Sequence, residues 1–262
     1  MIKVLNLYSG IGGNRKLWDS VRNDLEITAV ENNEKIAKIY QDFFPNDKVV
    51  IDDAHDYLLK HFKEFDFIWS SPPCPSHSRI RKCFVGKDNK GQNKPIYPDM
   101  KLYEEILFLQ HYFNKGKFVV ENVRSFYEPL IEPQEIALHY FWTNFYINPY
   151  KVESREHYSP LEVLAKLKGV EIKELEGVDK RVVLRNCVEP QLGLHIFQEA
   201  FKEYKTLTKE RGSNVGSLYP HLDEIDEKRK KRFENNEKND KDEDEDKDIE
   251  DIDDRLDKDM AH

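Results

Sequence analysis

Ile2-Lys3-Val4-Leu5-Asn6-Leu7-Tyr8-Ser9-Gly10-Ile11-Gly12-Gly13-Asn14-Arg15-Lys16-Leu17-Trp18 carries an apolar run, a glycine-rich turn and a segment of helical character in one stretch. The run Ile2 to Leu7 reads as a β-strand. Gly10, Gly12 and Gly13 let the backbone turn sharply and approach a ligand closely, and the spacing from Asn14 to Trp18 predicts a helix whose N-terminus faces that turn. Working outward, the alternation repeats. Leu25 to Val30 reads as a second strand ending at Glu31, and Glu34 to Phe44 as a helix with Ile36, Ile39, Tyr40 and Phe43 on one face. Val49 to Ile51, Phe65 to Trp69 and Phe118 to Val120 read as strands, interleaved with helices over Tyr57–Phe62 and Met100–Phe113. Such an order predicts an α/β, doubly wound, mostly parallel sheet with its sites at the carboxyl ends of the strands. Tyr140 to Ile147 reads as a late aromatic strand, and Pro160 to Gly169 and Val188 to Tyr204 as helices.

The 262 residues suffice for one full α/β domain with additions, and the 39% hydrophobic content is diluted by a hydrophilic end. Leu222 to His262 holds 19 Asp and Glu against 10 Lys and Arg, a difference equal to the −9 of the whole chain. Residues 1–221 therefore carry 31 charges of each sign, and the acidic balance does not disfavour a polyanionic partner for the folded part. From Lys241 to Asp259 there is too little apolar surface to offset the entropy of ordering, so a disordered acidic C-terminal tail is expected. Three cysteines without close pairing, no Cys-x-x-Cys and no His cluster argue against a disulfide framework and against zinc or another metal. The N-terminus reads as a strand rather than a signal sequence, and no stretch approaches the ~20 apolar residues of a membrane span. A cytoplasmic, intracellular protein with no membrane partner is expected, associated with the nucleoid if it is bacterial or viral.

Three groups of residues carry chemistry. The glycine turn with Glu31, some 20 residues on at the end of the second strand, suits an adenosine-containing cofactor, the carboxylate accepting from ribose hydroxyls. Glycine turns of this kind also serve dinucleotides and flavins. Asp53, with Asp52 as its competitor, sits where a carboxylate could accept from the adenine amino group. Pro72-Pro73-Cys74-Pro75-Ser76-His77-Ser78 ends a strand, because prolines fix φ and lack the amide proton that a ladder needs, and it presents a thiol at the sheet edge. Glu121, in Val119-Val120-Glu121-Asn122-Val123, ends the next strand, where the sheet order can bring it near Cys74.

Taken together, these stretches and Arg185-Asn186-Cys187-Val188-Glu189-Pro190 resemble the ordered motifs of the S-adenosylmethionine-dependent DNA (cytosine-5) methyltransferases. Order and spacing match from residue 4 to roughly 204. Asp99, Leu102 and Tyr103 resemble the family's fifth motif, and Tyr140-Phe141-Trp142-Thr143-Asn144 the aromatic part of its eighth. The resemblance implies a Rossmann-like class I methyltransferase fold over residues 1–205, with 206–262 a charged, largely disordered tail. It implies S-adenosylmethionine as cofactor and S-adenosylhomocysteine as product, held by Tyr8, Gly10, Gly12, Glu31, Asp53, Pro72 and Asn186. It further implies that Cys74 adds to C6 of a flipped-out cytosine in DNA, that Glu121 protonates N3, and that C5 then accepts the methyl group. The base that removes the C5 proton is not identified. Ser78, Arg79, Arg81 and Asn122 are the candidate substrate contacts. The first three open a basic loop, Ser78 to Lys94, suited to phosphate contacts and to closing over a base.

Two departures bear on the partner. Where the family carries Gln-x-Arg-x-Arg, with an arginine on the cytosine carbonyl, this chain has Glu135-Ile136-Ala137-Leu138-His139; Gln134 and Arg155 are the nearby candidates for that role. Residues 147–184 are also too few for the family's target-recognition region and read as a vestige of it. Recognition by a second polypeptide, weak selectivity and action on single strands are the readings this leaves open. The rivals are an RNA cytosine-5 methyltransferase and a non-catalytic partner subunit that keeps the cofactor fold.

Overall fold

The computed structural model describes residues 1–79, 97–150 and 159–202. The chain divides into Met1–Tyr204 and Lys205–His262. Residues 80–94 of the basic loop, including Arg81, as well as Arg155 and the acidic tail lie outside the described residues.

Seven strands form one sheet in the order β3-β2-β1-β4-β5-β7-β6. Strands β1 (Ile2–Leu7), β2 (Leu25–Val30), β3 (Lys48–Val50), β4 (Phe67–Ser70) and β5 (Lys117–Val123) pair in parallel, while β7 (His139–Thr143) runs antiparallel to both β5 and β6 (Gln134–Ile136). β1 lies centrally and is covered on both faces, which is why Val4 to Leu7 is a continuous buried run rather than an alternating one. One face packs Leu5, Leu7, Ile68, Phe118, Val120 and Trp142 under α2 (Ala54–His61) and α3 (Lys101–Tyr112). The other packs Val4, Ile27, Phe67, Trp69, Val119 and Phe141 under α6 (Pro190–Phe201), whose Phe197 stacks on Trp18 with centroids 4.7 Å apart.

The helices begin where sequence chemistry permits. Asn33 caps α1 (Glu34–Phe43) by accepting from the amides of Lys35 and Ile36, Asp53 caps α2, and Pro190 occupies the first turn of α6, where no amide proton is needed. A third apolar cluster joins Ile11, Ile36 and Ile39 to Leu164 and Ala165 of α4 (Leu161–Leu167), and to Val183 and Leu184 of α5 (Lys180–Asn186). Residues 161–186 thus form a helical cover over the glycine turn and α1.

The expected helix over Asn14–Trp18 is not formed. The segment makes successive turns and then a single 3₁₀ turn, Trp18–Ser20. Its polar side chains point inward. Asn14 exchanges amide bonds with Asn6 near the end of β1, at 2.8 and 3.5 Å, and Arg15 forks onto buried Asp47 at 2.9 and 3.1 Å. α6 leaves no depth there, since a Cβ at Gly193 would lie 2.5 Å from the Asn14 carbonyl oxygen. Further differences are β6 and α5, which apolar runs did not reveal, and the end of the aromatic strand at Thr143 rather than Ile147.

Candidate active site

The ends of β1, β2, β4 and β5 converge, and each contributes one of the residues singled out above. At the end of β1, Tyr8 (φ 53°) and Gly10 (φ 54°) both take the left-handed conformation. Tyr8 is held there through its side chain, whose hydroxyl donates to Glu105 Oε1 at 2.6 Å, and burial raises its pKa. Glu105, fully buried on α3, also accepts from Ser70 at 2.5 Å and lies 3.1 Å from His55 Nδ1. One carboxylate therefore ties together β1, β4, α2 and α3 beneath the turn. His55 is held above its usual pKa chiefly by its hydrogen bond to that carboxylate.

The glycines divide their work. A Cβ on Gly13 would lie 2.2 Å from Cys187 Sγ and 2.3 Å from the Val188 carbonyl oxygen, so the late Arg-Asn-Cys-Val stretch seats directly on it. At Gly10 nothing lies within 4 Å of that position, leaving open space beside a backbone in the left-handed region that glycine adopts freely. Glu31 accepts from the Gly10 amide and from the Asn33 amide, both at 3.0 Å, so its carboxylate is fixed at the rim of this space. Ser9 Oγ is buried there without a partner among the described residues. An adenosine-bearing cofactor fits a turn with open backbone, a fixed carboxylate and an unpaired buried hydroxyl. Asp53 spends one oxygen on capping α2, at 3.0 Å from the Asp56 amide, and that amide holds its pKa below the usual carboxylate value. Asn186 ends α5 and is exposed, next to the Cys187 contact.

The Pro-Pro-Cys turn is held rather than merely displayed. Asn122 Nδ2 donates to the Pro72 carbonyl at 2.9 Å, and its Oδ1 accepts from the Val123 amide. Both ends of this buried amide are engaged within the protein, so Asn122, expected among the substrate contacts, braces the loop. The amides of His77 and Ser78 close back on the Cys74 carbonyl at 2.9 and 3.0 Å. His77 Nδ1 lies 2.6 Å from the Tyr127 hydroxyl, Ser78 bridges Ser125, and Arg79 Nε donates to the Ser125 carbonyl at 3.0 Å. Pro72 is buried and Cys74 half-buried.

Glu121 is the electrostatic centre. Burial lifts its carboxyl to about 7, opposed by a hydrogen bond from Ser71 and by the charge of Lys168. Cys74 is raised to about 11, first by burial and then by the charge on Glu121. Two residues near Glu121 escaped the sequence reading of the site. His139 projects from β7 with Nε2 3.7 Å from Glu121 Oε1. Lys168, at the end of α4, is buried at 5% exposure although a lysine beside Gly169 reads as a solvated helix end. Among the described residues no group of three or more His, Cys, Asp or Glu could hold a metal ion, and no helix is long and apolar enough to cross a membrane.

A half-buried thiol in the turn after β4 and a buried carboxyl on the adjacent parallel strand β5, beside a glycine turn in a seven-stranded sheet whose β7 is reversed, define a class I methyltransferase fold. The family model described as C-5 cytosine-specific DNA methylase matches residues 2–134, about half of the chain, and the chain belongs to that family. No curated protein sequence matches it. Among solved structures, it is similar to a Spodoptera frugiperda Dnmt2 variant, with 22% identity over 68% of this chain and 61% of that one and a TM-score of 0.40. Another is the S. pombe Dnmt2 methyltransferase, at 21% identity over 50% and 36% with a TM-score of 0.35. A third is an E. coli prophage protein described as a DNA modification methyltransferase, at 19% over 49% and 34% with a TM-score of 0.32. The match thus spans between about a third and three fifths of these proteins' lengths.

Proposed function

We propose that the protein transfers the methyl group of S-adenosylmethionine to C5 of a cytosine in DNA, with Cys74 as nucleophile and Glu121 as the acid at N3. The observation that carries this reading is the pairing of the two side chains. The charge on Glu121 reaches Cys74 and adds to the effect of burial on the thiol, while burial raises Glu121 itself to about 7, above the range in which an ordinary carboxyl ionises.

Cytosine C5 is a poor nucleophile. Addition of the Cys74 sulfur to C6 opens the 5,6 double bond, and the proton given by Glu121 to N3 keeps negative charge off the ring, so C5 gains the character of an enamine carbon. When bound, S-adenosylmethionine supplies an electrophilic methyl group for that carbon. Loss of the C5 proton then expels Cys74, and N3 returns its proton to Glu121. The chain's own contribution is placement. Asn122 fixes the Pro-Pro-Cys turn through Pro72, Glu105 holds Tyr8, and Glu31 holds Gly10. In this reading the cofactor contacts come from Tyr8, Gly10, Glu31, Pro72 and Asn186, with Asp53 at the adenine end. Gly12 serves packing, since a Cβ there would lie 2.3 Å from Phe44. The basic residues that follow Ser78, beginning with Arg79, contact the strand from which the base is flipped.

The test uses the full chain, alone and together with the product of the adjoining gene. Labelled methyl transfer to DNA and to RNA is measured separately, alongside covalent capture of DNA containing 5-fluorocytosine. Transfer to DNA that disappears in C74S is expected; transfer to RNA alone reassigns the substrate. Cofactor binding without transfer or capture in any arm makes the chain a non-catalytic subunit and ends this reading.

A further inference from the structure

Glu105, with none of its surface exposed, takes no part in the chemistry at Cys74, yet three elements bring donors to it. Tyr8, after β1, and Ser70, the last residue of β4, give their hydroxyls at 2.6 and 2.5 Å, the oxygen–oxygen distances of bonds to an ionised carboxylate. His55, in the first turn of α2, brings Nδ1 to 3.1 Å. The two hydroxyls are neutral. The second ring nitrogen of His55, Nε2, lies 3.4 Å from Glu104 Oε2, so both nitrogens of a side chain only 12% exposed face carboxylate oxygens. A neutral imidazole would turn a lone pair toward one of them; the protonated ring has an N–H for each. His55 is therefore the counter-charge of a buried anion.

We propose that His55 is a positioning residue for the cofactor, which as a cation keeps Glu105 charged and so holds Tyr8 in the left-handed conformation that shapes the glycine turn. The proposal rests on the cofactor reading of that turn. A non-glycine residue is strained at φ 53°, and the bond from the Tyr8 hydroxyl supplies the hold. Once His55 loses its proton, Glu105 is a buried charge without a counter-charge, and it takes up a proton or admits water. Either change competes for the oxygens that accept from Tyr8 and Ser70, and Tyr8 is released. Around His55 stand Glu104, Glu105 and Lys101 on α3, Asp53 at the cap of its own helix, and Tyr8, which shares Glu105 Oε1 with it. Lys101 opposes the cation but lies 3.9 Å from Asp53, whose charge offsets it. The bond to Glu105 prevails and raises His55 above its ordinary 6.5. Cofactor affinity is thus full at pH 6 and falls as pH rises through the raised value, and by linkage, binding in that range takes up protons.

The experiment measures binding of S-adenosylhomocysteine to the full chain by titration calorimetry between about pH 6 and 8.5, in two buffers of different ionisation enthalpy. Over this range the wild-type Kd is expected to rise roughly five- to ten-fold, the worth of the one net hydrogen bond that holds Tyr8, with proton uptake on binding in between. H55Q, whose amide still donates but carries no charge, should bind with a pH-independent Kd close to the wild-type value at the alkaline end, and without uptake. Y8F, which lacks the hydroxyl, should be equally flat, because His55 acts through that bond. A wild-type Kd that does not move with pH, or binding without proton uptake, overturns the proposal with no variant needed. A pH dependence that survives in H55Q belongs to another group and overturns it as well, as does one that survives in Y8F. Absence of binding at every pH removes the cofactor reading and this proposal with it, whereas binding that is indifferent to pH removes the proposal alone.

Discussion

Replacing Glu121 with glutamine should make Cys74 more reactive in the free protein, but only above about pH 7. The thiol stands at about 11 against an ordinary value of 9.0, with burial as the larger cause and the Glu121 charge as the second. The charge is the smaller of the two raising causes, and a backbone hydrogen bond opposes both, so it is worth about one unit, a factor of ten in thiolate population. A less basic thiolate is also a weaker nucleophile, by somewhat under half of the logarithm of that gain, so the net increase in alkylation rate is about three- to four-fold. The pH window follows from Glu121 itself. Its carboxyl titrates near 7, so its charge acts on Cys74 above that pH and is absent below it. E121Q and wild type should therefore be alkylated at equal rates near pH 6 and diverge between about pH 7 and 8.5. Iodoacetamide labelling of the Cys74 peptide, followed by mass spectrometry with buried Cys187 as internal reference, measures this without DNA or cofactor. An equal ratio across the whole range, or slower labelling in E121Q at high pH, would refute the electrostatic coupling of the pair.

The same carboxyl costs stability once it ionises. Its pKa rises from 4.5 to about 7 on folding, so the wild type should lose on the order of 3 kcal/mol relative to E121Q as pH rises from about 4 to 8, measured by urea unfolding. D47A leaves the Arg15 guanidinium, 6% exposed, with only solvent-facing Asp19 as partner, and should cost about 3 kcal/mol; a loss below about 1 kcal/mol would show the buried pair to be dispensable. N122A frees the Pro72 carbonyl, so covalent capture of 5-fluorocytosine DNA should drop about ten-fold or more, with about 1–3 kcal/mol lost from stability. Unchanged capture would mean that the turn holds its shape without this brace.

What could be read from the residues, and what could not, divides along a physical line. Buried parallel strands are apolar runs bounded by turns, so β1, β2, β4 and β5 could be located from composition and their order set the Cys74 turn beside the strand of Glu121, although β5 runs on through Glu121 to Val123, past the apolar run that ends at Val120. The failed helix at Asn14 has a different origin. Five residues carry no reliable period, and the fate of Arg15 depends on Asp47, a partner 32 residues away that local pattern does not reveal. Lys180-Arg181-Val182-Val183-Leu184-Arg185-Asn186 is short and mostly polar, and it folds as a helix because Asp179 caps it and because Val183 and Leu184 meet Ile11 and Ile39. His139 was in plain view as the residue standing where arginine was sought. Its relation to Glu121 appears only once β7 is paired antiparallel to β5 in a definite register.

The shortness of the chain after Ile147 takes on another meaning in that light. Part of the stretch that resembles a vestigial recognition region, Leu161 to Leu184, is committed to burial against Ile11 and α1, and at the end of α4 it brings Lys168 close enough for its charge to act on Glu121. The Lys16 ammonium, donating to the Gly169 carbonyl, holds that helix end to the glycine turn. A truncation here would uncover the glycine turn and remove the cation that opposes the upward shift of Glu121, so it should raise the pKa of that carboxyl further. Thus a change outside the recognised motifs would show first in the proton chemistry of the site, as a displaced pH profile of Cys74 labelling, before any loss of choice among target sequences.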